Sequence, residues 1–134
     1  MYSFLHPDAY LEVYLYVQNE EYEIADFAME FNQSIDFRGQ PQSEVNGGIL
    51  CVTLNQIPKE SVNQWMLRSQ QKESGRIAFQ TGNSNSPLEI LFKDAYCVYY
   101  EKRISGDGKG VQTLLHISPA ELTLNSIKFN NFWP

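Results

Sequence analysis

The chain has 134 residues, of which 43% are hydrophobic and 19% charged, the length of one domain and the balance of a folded one. That places the chain well away from the disordered regime, and it allows roughly two thirds of the unfolded surface to be buried without disulfide or metal support. A net charge of −6 with no Lys/Arg cluster disfavours phosphate backbones, so no nucleic-acid partner is expected.

The start, Met1-Tyr2-Ser3-Phe4-Leu5-His6-Pro7-Asp8, has no basic region, apolar stretch or small-residue cleavage site. No window approaches the apolar length of a membrane helix, so no membrane insertion is expected. The expectation is folding and assembly in the cytoplasm, with any export using no cleaved signal peptide. One domain is expected over 1–134, with 1–9 as an N-terminal tail.

Period-two alternation dominates the rest of the chain. From Tyr10 to Val17, Leu11, Val13, Leu15 and Val17 share one face. Tyr10, Glu12, Tyr14 and Tyr16 share the other. Gln18-Asn19-Glu20-Glu21 reads as a hairpin connection, and the partner strand as Tyr22 to Gln33, with Phe27, Met29 and Phe31 on one face. Asp36 to Asn46 is polar, carries Gly39 and Pro41, and is long for a hairpin loop; such loops are usually functional. A strand comes next over Gly47–Leu54, and Gly47-Gly48 predicts a bulge or a close backbone approach.

One segment breaks the pattern. Pro58 fits the first turn of a helix, and Val62, Trp65, Met66 and Ser69 fall on one helical face. That stripe reads as packing of a helix on a sheet, and Gly75 as the end of the region. Strands resume over Arg76–Thr81. Gly82–Pro87 is a turn-rich loop. Leu88–Glu101 is a long strand bent near Lys93-Asp94. Its stretch Ala95–Tyr100 carries no charge, so both faces should be covered. Ser105–Gly110 is a flexible connection. Val111–Ser118 and Glu121–Phe129 form a final pair separated near Pro119. The sum is seven or eight strands and one helix: a mainly β fold, a compact antiparallel barrel or sandwich with an α-helix beside it.

The residues offer little chemistry. His6 and His116 are far apart and match no ligand spacing. Cys51 and Cys97 each lie in an apolar run and read as small core residues; a disulfide would need their strands to be neighbours. Gly106-Asp107-Gly108-Lys109-Gly110 lacks the Lys-Ser/Thr ending and the helix of a phosphate loop, so a plain hairpin connection is the better reading. Glu20, Glu21 and Glu23 read as a solvated edge, since calcium needs a defined ligand order. No catalytic, metal or cofactor site is expected. What stands out is aromatic β surface, with eight Tyr and eight Phe. A closed ring of subunits would cover such faces and pair open sheet edges; a carrier could instead turn them into a pocket.

The individual residues then point to a family. Phe31-Asn32-Gln33-Ser34-Ile35-Asp36, Gly39-x-Pro41, Gly47-Gly48-Ile49, Trp65-Met66 and Gly75-x-Ile77-x-Phe79 resemble the TssD branch of the Hcp family. So do Leu88-Glu89, Phe92-Lys93-Asp94-Ala95-Tyr96-Cys97-Val98-x-Tyr100, and Ile117-Ser118-x-Ala120-Glu121-Leu122-x-Leu124 with Asn131 and Trp133. Each motif alone is weak; their order over residues 10–134 is specific. The first nine residues, Pro119, the short Gly106–Gly110 loop and Asn125-Ser126 depart from the pattern.

The resemblance implies a small β-barrel with one helix, similar to phage tail-tube proteins. It implies homohexameric rings stacked into the hollow inner tube of a type VI secretion system. Sheath, spike and baseplate proteins and effector cargo would be partners, and the tube would end outside the cell or in a target cell. On that reading Asp36, Arg38, Gly39, Pro41, Glu44, Gly47 and Gly48 are candidates for ring stacking, and Val62, Trp65 and Met66 pack the helix on the barrel. Two other readings stay open: a monomeric carrier of a lipid or small ligand, and a tube subunit of a phage-like or extracellular contractile device. A small hydrolase is disfavoured by the missing nucleophile and base.

Overall fold

The structure is a computed structural model and describes residues 11–32, 37, 38, 40, 46–81 and 88–131. In chain order these form β1 (Leu11–Val17), β2 (Glu20–Glu23), β3 (Asp26–Asn32), β4 (Asn46–Leu54), α1 (Glu60–Leu67), β5 (Glu73–Thr81), β6 (Leu88–Ile104), β7 (Val111–Leu124) and β8 (Ile127–Asn130). The fold is mainly β, and every strand pair is antiparallel.

The β1–β2 hairpin turns on two residues, Gln18 and Asn19, both at positive φ (56° and 62°). That geometry matches the twist of the flanking strands and pairs Val17 with Glu20. The expected strand from Tyr22 to Gln33 is in fact two. β2 stays with β1, while β3 crosses to pair with β4. Between them the Ile24 N–H donates to the Val13 carbonyl and the Ala25 N–H to the Thr53 carbonyl, each at 2.8 Å. The reason is a change of phase: Tyr22 and Ile24 are buried at even positions, whereas Phe27 and Met29 pack on the core at odd ones. One straight strand cannot bury both sets.

The strand order is β2-β1-β5-β6-β7-β4-β3, with β8 beside β7. Because the chain passes directly from one edge of this order to the other at Ile24-Ala25, the sheet curls into a half-closed barrel. Three irregularities shape the curl. Gly48 is the extra residue of a bulge opposite Glu30/Phe31, at φ 68°. Asp94 takes φ 51° where β5 slips register on β6, at the expected bend. A second slip falls between Cys97 and Tyr99.

Two boundaries differ from expectation. Gly75 does not end the helical region; it lies inside β5, opposite Phe92 and Val17. Pro119 does not separate two strands; β7 runs through it. It is tolerated because β4 pairs β7 only as far as Ile117, and β8 begins at Glu121. Pro119 falls in the gap on that flank, where no ladder N–H is required. Asn131 clamps the gap, its side-chain amide donating to the Pro119 carbonyl (2.8 Å) and its backbone N–H to Ala120 (2.9 Å).

The barrel interior is filled. Leu15, Leu50, Leu54, Ile77, Ile90, Leu115, Ile117 and Leu122 are fully buried, each worth about 1.5–3 kcal/mol of transfer free energy. α1 closes the open side. Its N-cap is Lys59, in extended conformation, so Pro58 sits just outside the helix, and the helix ends at Leu67 rather than Ser69. Val62 and Trp65 are buried and Met66 packs half-buried against the core. The Trp65 ring stacks on Phe92 at 6.5 Å and 9°, and its Nε1 donates to the Ala95 carbonyl at 3.0 Å. The Tyr22 hydroxyl accepts from the Lys59 N–H (3.2 Å), and the Gln18 amide donates to the Ser61 carbonyl (3.0 Å).

Candidate assembly surfaces

Three kinds of surface are left after the core is built: exposed residues between β3 and β4, sheet margins and an aromatic outer face. Of the loop between β3 and β4, Arg38 is exposed and its guanidinium lies 5.5 Å from the ring centre of Phe37, itself 94% exposed. Asp36, Gly39, Pro41 and Glu44 lie outside the described residues. Gly47 and Gly48 belong to β4 rather than to the loop. A Cβ at Gly48 would meet Leu122 Cδ1 at 2.8 Å and the rings of Phe31 and Phe129 at 3.2 and 3.3 Å. Gly48 therefore lets three side chains close over the bulge; it offers no contact surface of its own.

The margins are set by register. β2 and β3 end the strand order, and β8 pairs only with β7. A fourth margin lies inside the sheet. β5 pairs β6 only up to Ala95, whereas β7 accompanies β6 to Ile104. The Val98–Ile104 half of β6 thus has a strand on one flank and, among the described residues, none on the other.

On the outer face, Tyr14, Tyr16 and Tyr99 each donate a hydroxyl hydrogen bond to a glutamate: Glu12 (3.1 Å), Glu21 (2.7 Å) and Glu101 (2.7 Å). Those bonds hold all three phenols above their ordinary pKa. Arg103 and Tyr99 together hold the Glu101 carboxyl below its usual range. The Arg76 guanidinium covers the Tyr16 ring at 4.0 Å and pairs with Glu89 at 2.9 Å. Val98 and Tyr99 remain 52% and 41% exposed. The expectation that Ala95–Tyr100 is covered on both sides therefore fails within one chain, where α1 covers only one face.

The remaining chemistry is structural. His116 lies in β7 with its ring 4.6 Å from that of Tyr99. Cys51 is half-buried and Cys97 buried. Both are free, and they sit on opposite faces of the sheet, since Cys51 pairs with His116 and Cys97 with the adjacent Ile117. Burial pushes the Cys97 thiol up to about 11. Ser105–Gly110 is a hydrogen-bonded hairpin loop: Asp107 accepts from the Ser105 hydroxyl (2.7 Å) and the Lys109 N–H (3.0 Å). Among the described residues, no group of three or more His, Cys, Asp or Glu could hold a metal, and no helix is long and apolar enough to cross a membrane.

A scan against protein families matches residues 9–134 to the hemolysin coregulated protein Hcp (TssD) family. The chain belongs to the Hcp (TssD) family. Among solved structures, Hcp1 from Flavobacterium johnsoniae is similar, with a TM-score of 0.80 at 20% identity over 90% of this chain and 99% of that one. Hcp1 from Salmonella typhimurium gives 0.68 at 11% identity, over 89% and 91%. A type VI secretion system effector from Yersinia pestis gives 0.58 at 14% identity, over 88% and 98%. At these identities the likeness is one of fold. No curated protein matches the sequence.

For this Hcp-family chain, the residues expected to matter divide in space. Val62, Trp65 and Met66 gather under the barrel. Arg38 stands on the surface at the loop, and Gly48 inside the bulge. The β6 margin is invisible in the sequence, because unpaired backbone is a property of register, which a single strand does not reveal. The phase change between Ile24 and Phe27 is visible in the alternation and is the signal that marks the β2/β3 break.

Proposed function

We propose that this chain is the structural subunit of a type VI secretion inner tube, forming hexameric rings that stack into a hollow conduit. Family membership over residues 9–134 carries the reading. The β margins support it physically. A strand edge with unpaired N–H and C=O groups is a site for another strand, and identical subunits arranged head to tail can satisfy every edge by closing a ring. The outer aromatic face, uncovered in one chain, has a natural use as a surface between copies or toward cargo.

On this proposal the role is mechanical, not enzymatic. Sheath, spike and baseplate proteins drive the tube, and effectors travel with it. Subunits assemble in the cytoplasm and leave with the tube. The loop carrying Arg38, Gly39 and Pro41 makes the ring-to-ring contact. The filled interior speaks against a lipid or small-ligand carrier, since a ligand would have to displace fully buried Leu, Ile and Trp side chains.

Light scattering after size-exclusion chromatography, with negative-stain electron microscopy of the same fractions, tests the proposal. Annular particles of hexamer mass are expected. A sample that stays monomeric at high concentration overturns it.

A further inference from the structure

We propose that residues 1–8 of one copy seat Phe4 and Leu5 in the groove between α1 and β6 of a copy in the next ring, so that each chain clasps the ring stacked on it. This rests on the stacked-ring reading and adds a contact outside the span matched to the family, which begins at residue 9.

The groove has a volume of about 260 Å³ and is lined by Glu60, Asn63, Met66, Leu67, Tyr100 and Lys102. Small-molecule sites usually hold roughly 300–1,000 Å³, so this one suits the side chains of a short peptide better. Two features leave it incomplete. Leu67 is 81% exposed, although its neighbours Met66 and Trp65 turn inward. The Tyr100 hydroxyl is buried without a hydrogen-bond partner. Buried polar groups are rarely left so, because an unmade bond is expensive. An apolar wall with one unmet hydrogen bond suits an apolar peptide, whose side chains cover Leu67 and whose backbone can bond the hydroxyl.

The chain carries such a peptide. Met1-Tyr2-Ser3-Phe4-Leu5-His6-Pro7-Asp8 places Tyr2, Phe4 and Leu5 within four residues. Residues 1–10 lie outside the described ones, and the barrel interior is filled without them.

Register decides which groove they meet. β1 begins at Leu11, so the segment joins the sheet there. Val13 is level with Phe79 and Phe79 with Leu88, whereas Tyr100 lies twelve residues farther along β6, about 40 Å of strand. The Gln18 amide donates to the Ser61 carbonyl, which likewise puts α1 at the end of β1 opposite Leu11. Fully extended, the seven residues from Leu11 back to Phe4 span about 25 Å at most. The chain's own groove is therefore out of reach. Copies that repeat along β6 with one polarity bring the Leu11 end of one against the groove end of the next. Such a contact joins two different surfaces and does not return on itself, so it extends a stack without limit. Each subunit repeats it, so individually weak clasps add up between rings.

Disulfide trapping between two full-length variants tests this. Both carry Cys51→Ser, which leaves only the buried Cys97 thiol. One adds Leu5→Cys and the other Leu67→Cys, and the two are mixed before mild oxidation. A cross-linked pair of twice the chain mass is expected on a non-reducing gel, and Phe4→Asp in the first variant is expected to abolish it. The two cysteines placed in one chain should likewise give cross-links between chains. Without oxidation or new cysteines, Phe4→Asp with Leu5→Asp, and separately Leu67→Glu, should keep hexamer mass by light scattering and the circular-dichroism melt of wild type. Tubes in electron micrographs should be several-fold shorter in both. Absence of the cross-link, a cross-link formed only within one chain, or wild-type tube length in both variants overturns the clasp while the ring reading stands. If the wild-type protein forms no rings, both readings fall.

Discussion

At Gly75 there is no room for a side chain. A Cβ there would run into the Tyr16 carbonyl oxygen and lie 2.7 Å from Phe92 Cζ. The backbone oxygen cannot move without breaking the β1–β5 ladder, so Gly75→Ala is expected to cost about 1–3 kcal/mol as overpacking, lowering Tm by several degrees in a thermal melt. Trp65→Ala removes more. It opens a cavity beside Phe92 and leaves the Ala95 carbonyl without its indole donor, and about 3–5 kcal/mol is expected from denaturant titration. Cys97 gives a pH signature. Its folded pKa is raised from 9.0 to about 11 by burial, so the unfolded chain loses the thiol proton first. The contribution is intact below pH 9 and is lost as pH rises from 9 toward 11, with a slope of up to about 1.4 kcal/mol per pH unit. The raised outer-face tyrosines bend the curve the same way, so the measurement is the difference between wild type and Cys97→Ala over that range. Equal slopes would show that the thiol is not buried in solution. At this scale the sequence is readable where a residue type has one use: Trp65 at a helical core position and Gly48 at a bulge. Gly75 is misleading in sequence because its close approach depends on Tyr16 and Phe92, which are remote along the chain.

Among the elements, α1 is short and weakly begun. Lys59 caps it without any side-chain hydrogen bond, and its ammonium makes one exposed pair with Glu20 at 3.7 Å. Such a pair contributes about 0–1 kcal/mol, whereas a serine N-cap contributes about 1 kcal/mol by accepting from the first free N–H groups. The Lys59 backbone N–H, which donates to Tyr22, is unaffected by the exchange. Lys59→Ser is therefore expected to raise stability by up to about 1 kcal/mol, seen as a higher denaturant midpoint with unchanged slope. A lower midpoint would mean that the Glu20 pair outweighs the cap. Strand existence is legible throughout, because burial on one face of a sheet imposes period two. Strand partners are not. The alternation of β3 is compatible with either neighbour, and only the phase change at Ile24-Ala25 sends it to β4. The long strand through Pro119 is also hidden. Proline forbids a ladder bond only where a partner is present, and the hand-over from β4 to β8 leaves none there.

For the whole molecule, the family can be read from ordered motifs, but the surfaces proposed to join copies cannot. Motifs that match across a family mark shared fold positions, and margins appear only once register is known. The proposed ring stacking brings these scales together. A single loop contact between rings is weak, yet stacking repeats it once per subunit. Because the contacts of one ring form together, their free energies act in concert, and small changes in each are multiplied in the tube. Gly39→Trp with Pro41→Ala changes the shape of the proposed docking loop without touching β3, β4, β6 or α1. Lateral closure should therefore survive while axial growth fails. The expected outcome is hexamer mass by light scattering equal to wild type, with tubes in electron micrographs much shorter or absent and less of the protein exported. Loss of hexamers would place the loop within the ring instead. Tubes of wild-type length would remove it from stacking altogether and leave the axial contact to another surface, of which the exposed tip of the β6–β7 hairpin, with Ile104 62% exposed, is the next to test.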